Sequence, residues 1–149
     1  MEIYFRKLDV INECIKRLSD IKKETPTLKK YRISWKDKDS AERNLQKIIE
    51  SLIDIGKMII ADMHLREPGS NREVFLILEE KGLFKSDYMV LIDKMIGMRN
   101  IIVHGYDRID DAVVFGVLKR NLSDIRKLCS YLKKVVLDTL KIKETKVKK

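Results

Sequence analysis

Within eight positions, Arg99-Asn100-Ile101-Ile102-Val103-His104-Gly105-Tyr106, the chain sets a permanent cation, an amide, an imidazole and a phenol. Imidazole gives or takes a proton near neutral pH, and a guanidinium fork grips two phosphate oxygens at once. That pair suits a substrate carrying its own nucleophile. RNA is one, because its 2′-hydroxyl lies beside the scissile phosphate. Cutting it takes a base for that hydroxyl, an acid for the leaving 5′-oxygen and a cation for the charge building on phosphorus; no metal is required. The Arg-x4-His spacing alone is weak, since ten Arg and two His among 149 residues produce it by chance in about one chain in eight.

Geometry constrains the pair. At about 100° per residue, Arg99 and His104 stand about 140° apart on a helix and share no face. Asn100 and His104, at i and i+4, do share one. Either the helix ends near His104 and the imidazole swings, or a second copy of the chain completes the site. A histidine at a helix C-terminus also meets the negative end of the helix dipole, a setting that suits a proton donor.

The charge balance agrees with a polyanionic partner. Lys and Arg number 32 against 23 Asp and Glu, a net +9 with a pI of about 9.5, and phosphate contacts release condensed counterions. The same lysines also serve to keep helix surfaces soluble. Other chemistries lack their signatures: there is no G-x-x-x-x-G-K-[ST], no G-x-G-x-x-G and no serine nucleophile elbow. His64 and His104 are the only histidines and form no H-E-x-x-H or Cys/His cluster, so neither metal nor cofactor is expected.

The elements that must position these residues read as helices. Tyr4, Leu8, Ile11, Ile15 and Leu18 repeat at four and three, an apolar stripe that ends near Glu24 before Thr25-Pro26-Thr27. Leu28 to Lys38, where Tyr31, Ile33 and Trp35 alternate with Arg32 and Ser34, reads as an ordered loop. Asp39 and Glu42 form a capping-box pattern opening a second helix with Ala41, Leu45, Ile48, Leu52, Ile55, Ile59 and Met63 on one face. Ile49, Ile53 and Ile60 widen that stripe, and Gly56 within it points to a close backbone approach. A short helix, Arg72 to Glu80, stops at Gly82 as a C′ glycine. Ser86 reads as the N-cap of a fourth helix reaching His104, and Asp110 or Asp111 opens the last, with Leu118, Leu122, Ile125, Cys129, Leu132, Val136 and Leu140 on one face. Its lysine-rich end reads as a fraying tail. The expectation is one all-α, up-and-down bundle of four or five helices over residues 1–140, with a basic tail at 141–149. No apolar run is long enough to span a membrane, Met1–Asp9 lacks a signal-peptide core, and Cys14 and Cys129 fit apolar helix positions, so a reduced, cytoplasmic protein is expected.

These residues resemble a known family. Arg99-x4-His104-x-Tyr106 is similar to the R-x4-H-x-Y signature of the HepT-like branch of HEPN (higher eukaryotes and prokaryotes nucleotide-binding) domains. Ala41-Glu42-Arg43-Asn44-Leu45-Gln46, Ile49-Glu50 and Ile53-Asp54-Ile55-Gly56 resemble that family's second helix. Asn71-Arg72-Glu73-Val74-Phe75 resembles its third, and Tyr106 to Asp110 the lead into its last; the likeness runs from about Leu8 to Leu132. The resemblance implies a homodimeric helical bundle, a metal-independent RNA endonuclease acting as toxin, and a minimal nucleotidyltransferase antitoxin that attaches AMP to the motif tyrosine. Carried over, Arg99 and His104 are catalytic, Tyr106 is the modified residue, and Asn100 matches the polar residue that follows the motif arginine; Asn100 and, from its place on the second helix, Arg43 are the candidates to support substrate binding.

Each residue also has a plainer role open to it. His104 could simply end a helix, Arg99 could pair with Asp93 or Glu79, and Tyr106 could be an interface aromatic. Arg43 and Asn44 fit a solvated helix face, His64 a surface or helix-end position, and Tyr31 and Trp35 packing rather than base stacking. A catalytically silent dimer that docks a nucleotidyltransferase and presents RNA or nucleotide is the alternative function. Sequence-specific DNA binding lacks a helix-turn-helix pattern.

Overall fold

The computed structural model describes residues 2–105 and 109–147, and the regular structure among them is helical throughout. Helix α1 (Glu2–Glu24) buries the expected stripe together with Cys14 and Ile21. The buried Thr25 hydroxyl then donates to the Ile21 carbonyl at 2.6 Å, closing the last turn before Pro26. Leu28 to Lys38 is not a loop. Thr27 caps a six-residue helix, α2 (Leu28–Ile33), by accepting from the Lys30 amide. Ser34 then ends α2 and opens α3 (Trp35–Asp62): its amide donates to the Tyr31 carbonyl, and its hydroxyl both accepts from the Asp37 amide and donates to the Asp37 carboxylate at 2.9 Å. This pair starts the helix five residues ahead of the Asp39 pattern, which lies inside it. The alternation of Tyr31, Ile33 and Trp35 reflects one buried tyrosine and two exposed neighbours, Trp35 being 66% exposed; Trp35 therefore does not pack as expected.

Helix α3 is the axis of the bundle. It touches α1, α4 (Asn71–Glu80), α5 (Met89–His104) and α7 (Leu122–Val147), and Ala41, Leu45, Ile48, Ile49, Leu52, Ile53, Ile55, Ile59 and Ile60 are all buried. Helix α1 runs antiparallel to it. The Tyr4 hydroxyl at the start of α1 donates to Asp62 at 2.7 Å, and Lys7 pairs with Asp54 at 2.9 Å. Lys143 of α7 reaches Asp62 at 3.1 Å, so the last helix lies parallel to α3. Burial, reinforced by Asp62, pushes the Tyr4 phenol well above its usual range. Burial alone would raise the Asp62 carboxyl, but hydrogen bonds from Tyr4 and Lys143 outweigh it and hold the group low.

Gly56 is where α4 reaches α3. A Cβ there would stand 2.5 Å from Cγ1 of Val74, a fully buried and rotationally stiff side chain. Both helices end in the same hydrogen-bond pattern. In α4, Gly82 at φ 70° takes the left-handed position, with Gly82 N–H to Glu79 and Leu83 N–H to Leu78. In α3 the same place is held by His64 at φ 53°, with His64 N–H to Ala61 and Leu65 N–H to Ile60.

Ser86 does not cap α5. It opens a 3₁₀ turn (Ser86–Tyr88) without a side-chain cap, and α7 holds this segment instead. The Tyr131 hydroxyl accepts from the Lys85 amide at 2.9 Å, and the Tyr131 ring stacks on Tyr88 at 4.6 Å. Asp110 caps α6 (Asp111–Gly116) by accepting from the Ala112 amide. A π turn (Val117–Asn121) joins α6 to α7 without interruption, and the helix persists to Val147 instead of fraying after Leu140. Cys14 and Cys129 are free and buried, and burial pushes the Cys129 thiol up to about 12, far from nucleophilic at neutral pH.

Two stability changes follow. Gly56→Ala should lose about 1–2 kcal/mol, overpacking outweighing the roughly 1 kcal/mol gained in helix propensity; Val74→Ala in the same chain should return part of it relative to Val74→Ala alone. His64→Gly should gain about 0.5–1 kcal/mol by relieving a left-handed residue that carries a Cβ. Urea unfolding midpoints read both, and a stabilised Gly56→Ala protein would refute the close-approach account.

Candidate active site

The motif lies on α5, and α5 is unusual. Its sequence is apolar on nearly every side, yet only Ile92, Met95, Ile96 and Ile102 are buried, while Val90 is 65% and Ile101 48% exposed. Helices apolar all round are normally covered. Here the exposed side borders a groove of about 690 Å³ between α5 and the α6–π-turn segment, with Leu91, Met98, Ile101, Val113 and Arg120 among its lining.

Arg99 turns inward to α3. Its Nη2 lies 3.5 Å from Glu50 Oε1, which also accepts from Gln46 at 3.1 Å, and its Nη1 lies 3.2 Å from Asn100 Oδ1. Its Nε is buried with no acceptor among the described residues. Guanidinium offers five N–H donors in one plane, so the group is held by long contacts and keeps donors to spare. The expected partners Asp93 and Glu79 are not the ones used. Asp93 pairs instead with Arg72 of α4 at 3.1 Å.

His104 is the last residue of α5 and is exposed. The Gly105 amide closes on the Ile101 carbonyl at 2.8 Å and the helix stops. Both Arg99 and His104 keep helical backbone, so they remain on different faces, and no hydrogen bond or ion pair joins them. The structure thus gathers Arg99, Asn100, Glu50 and Gln46 and leaves His104 apart. Helix α5 runs antiparallel to α3: Arg99 stands beside Glu50, and past His104 the chain reaches Asp111, which pairs with Lys38 at 3.1 Å.

Arg43 is exposed on α3 between Lys38 and Glu50, in line with Gln46 and Glu50 at i, i+3 and i+7. It is a solvated residue. Asn44 is not. It is 5% exposed, donates to the Ser40 carbonyl at 2.7 Å, and leaves its own Oδ1 without a donor among the described residues. Tyr106 lies outside the described residues. Glu50 and Gln46 are the site residues that sequence reasoning missed; they are two of many polar residues along α3, and nothing local sets them apart. No helix among the described residues is long and apolar enough to cross a membrane.

Comparison with known proteins bears on this geometry. The family model described as ribonuclease HepT-like matches residues 10–132. An mRNA nuclease HepT of Shewanella oneidensis is 30% identical over 132 residues, 89% of this chain and 97% of that protein. A tRNA nuclease HepT of Aphanizomenon flos-aquae is 29% identical over 130 residues, 85% of this chain and 87% of that one. Among solved structures, a tri-AMPylated Shewanella oneidensis HEPN toxin in complex with MNT antitoxin aligns with a TM-score of 0.79 at 29% identity, over 90% of this chain and 98% of its own. A family match running from the middle of α1 into α7, with α3 and the α5 motif between them, means that this chain belongs to the ribonuclease HepT-like family.

Proposed function

We propose that the protein is the ribonuclease toxin of a toxin–antitoxin pair, cutting RNA without a metal at a cleft that two copies complete. The observation that carries this reading is the split of the motif. Arg99 is anchored on α3 with an Nε that has no acceptor among the described residues, His104 is exposed at the end of α5, and apolar residues of α5, Val90 and Ile101, stay exposed among the described residues. A second α5 laid on that side supplies the missing cover and brings a second His104 to the cleft.

In that cleft Arg99 takes the non-bridging phosphate oxygens and stabilises the charge that develops on them. One imidazole accepts the 2′-hydroxyl proton as the 2′-oxygen bonds to phosphorus. The bond to the 5′-oxygen then breaks, and that oxygen leaves with a proton from an imidazolium. The products are a 2′,3′-cyclic phosphate and a 5′-hydroxyl. Glu50 and Gln46 hold the guanidinium in place, while Asn100 and Arg43 contact neighbouring parts of the strand.

The proposed partner is a minimal nucleotidyltransferase that attaches AMP to Tyr106, in keeping with the AMPylated toxin and antitoxin among the structural relatives. An added phosphate and adenine beside His104 would occupy Arg99 and repel incoming RNA phosphate.

Total RNA incubated with the protein in EDTA should be cut to fragments with cyclic phosphate ends. His104→Ala and Arg99→Ala should each slow this by about 100-fold or more. Binding without cleavage by wild type would instead favour the silent docking module. Light scattering should give twice the 17.5 kDa chain mass, and Ile101→Asp should halve it and abolish cleavage together. A wild-type monomer at micromolar concentration would remove the composite cleft.

A further inference from the structure

A second groove, of about 1030 Å³, runs between α1 and the last helix and shares no lining residue with the α5 groove. Five cations line it, Lys16, Lys22, Lys23, Lys119 and Arg126, against one carboxylate, Asp20. Over the whole chain the ratio is 32 to 23, so this wall is far more basic than the average surface. None of the five forms an ion pair with a described carboxylate. Five like charges beside a single carboxylate repel one another, and an anion in the groove relieves that repulsion.

Two of the cations are fixed across the groove. Lys119 donates to the Lys22 carbonyl at 3.2 Å, one of the open carbonyls at the end of α1, and its ammonium stands 5.2 Å over the Phe115 ring. Arg126 donates to the Ser19 hydroxyl. An ammonium has three donors and a guanidinium five, so both keep donors free. Holding them in place beforehand lowers the ordering cost of binding. On the opposite wall Lys16 and Lys23 are seven residues apart, about 10 Å along the helix, as are Lys119 and Arg126. The result is two facing rows of positive charge with serine hydroxyls between them and no aromatic side chain on the lining. Such a surface follows a phosphodiester backbone and does not read bases, which need stacking platforms or base-edge donors.

We infer that the α1–α7 groove binds the backbone of single-stranded RNA outside the cleavage cleft, gripping the part of the substrate that flanks the cut. The inference rests on RNA being the substrate. It implies that long RNA binds more tightly than the cleft alone accounts for, and without base preference along the groove.

The test uses full-length protein, Lys16→Gln/Lys23→Gln, which alters side chains that hold no other element. Fluorescence anisotropy of 5′-fluorescein-labelled U20 RNA, with His104→Ala in both proteins to stop cleavage, should show at least a tenfold rise in Kd. The slope of log Kd against log salt should fall by about 1.4, the value for two lost phosphate contacts on a single strand. With His104 intact, Lys16→Gln/Lys23→Gln should cleave a dinucleotide, too short to reach the groove, at the wild-type rate. Lys16→Arg/Lys23→Arg should bind U20 like wild type. Unchanged U20 affinity with dinucleotide cleavage intact overturns the groove and leaves the ribonuclease reading standing. If U20 affinity is unchanged but the complex with the nucleotidyltransferase is lost, the groove is a protein dock. If the wild-type chain neither binds nor cuts RNA, both readings fall together.

Discussion

Everything in this bundle depends on α3 being buried from several sides at once. A helix whose apolar residues fall on one stripe can lie on a surface; one with Leu45, Ile48, Ile49, Leu52, Ile53, Ile55 and Ile60 all below 5% exposure cannot. Helix α1 covers one side and α7 another, while α4 and α5 take what remains. Gly56 sets how near α4 can come, and the Tyr4–Asp62–Lys143 cluster sets the register at the far end. On the polar side of α3 that remains, Gln46 and Glu50 form the half-buried spot where Arg99 docks.

That docking explains why the two motif residues stand apart within one chain. An arginine turned inward to a carboxylate is placed but not fully used, since 3.5 Å is the outer limit of a charge-assisted hydrogen bond. Phosphate can therefore compete for the guanidinium without breaking a strong pair. The histidine five residues on is committed by helix geometry to another face, and Gly105 ends the helix before the chain can bend it back. Intact helix and split motif are the same constraint, and α5 meets it with the apolar surface that a second copy would cover.

Most of the architecture was legible because long helices repeat their burial pattern: Tyr4 to Leu18, Ala41 to Ile60 and Leu118 to Val136 each gave a stripe that the core then used. Gly56 and Gly82 were legible for the same reason, as breaks in otherwise good helices with one physical cause each. Leu28 to Lys38 was not. A six-residue helix shows barely two turns of periodicity, and Ser34 serves two helices at once, while the Asp39 and Glu42 pattern imitates a start inside a helix already under way. Ser86 misled similarly, because α5 is anchored by Tyr131, 46 residues from the Lys85 amide it accepts. Glu50 stands 49 positions from Arg99, and no local pattern reports a contact at that distance. The motif named the chemistry; only packing named the residue that holds it.

The last helix carries this division of labour further. Its π turn spans Val117–Asn121, and π turns place extra backbone where a helix must serve two surroundings. From this turn Arg120 and Asn121 join Ile125 on the α5 groove, while Lys119, with Ser123 and Arg126, faces α1. One flank is mostly apolar and suits protein; the other is basic and hydroxyl-lined and suits phosphate. An α5 interface in a dimer would bury the first flank and leave the second exposed on each copy. Two basic grooves would then lie outside a shared central cleft, so a single RNA strand could be held beyond the bond being cut without competing for Arg99. A dimer so arranged would gain affinity from length and leave the choice of bond to the cleft, since grooves lined by cations and hydroxyls follow charge and do not read bases.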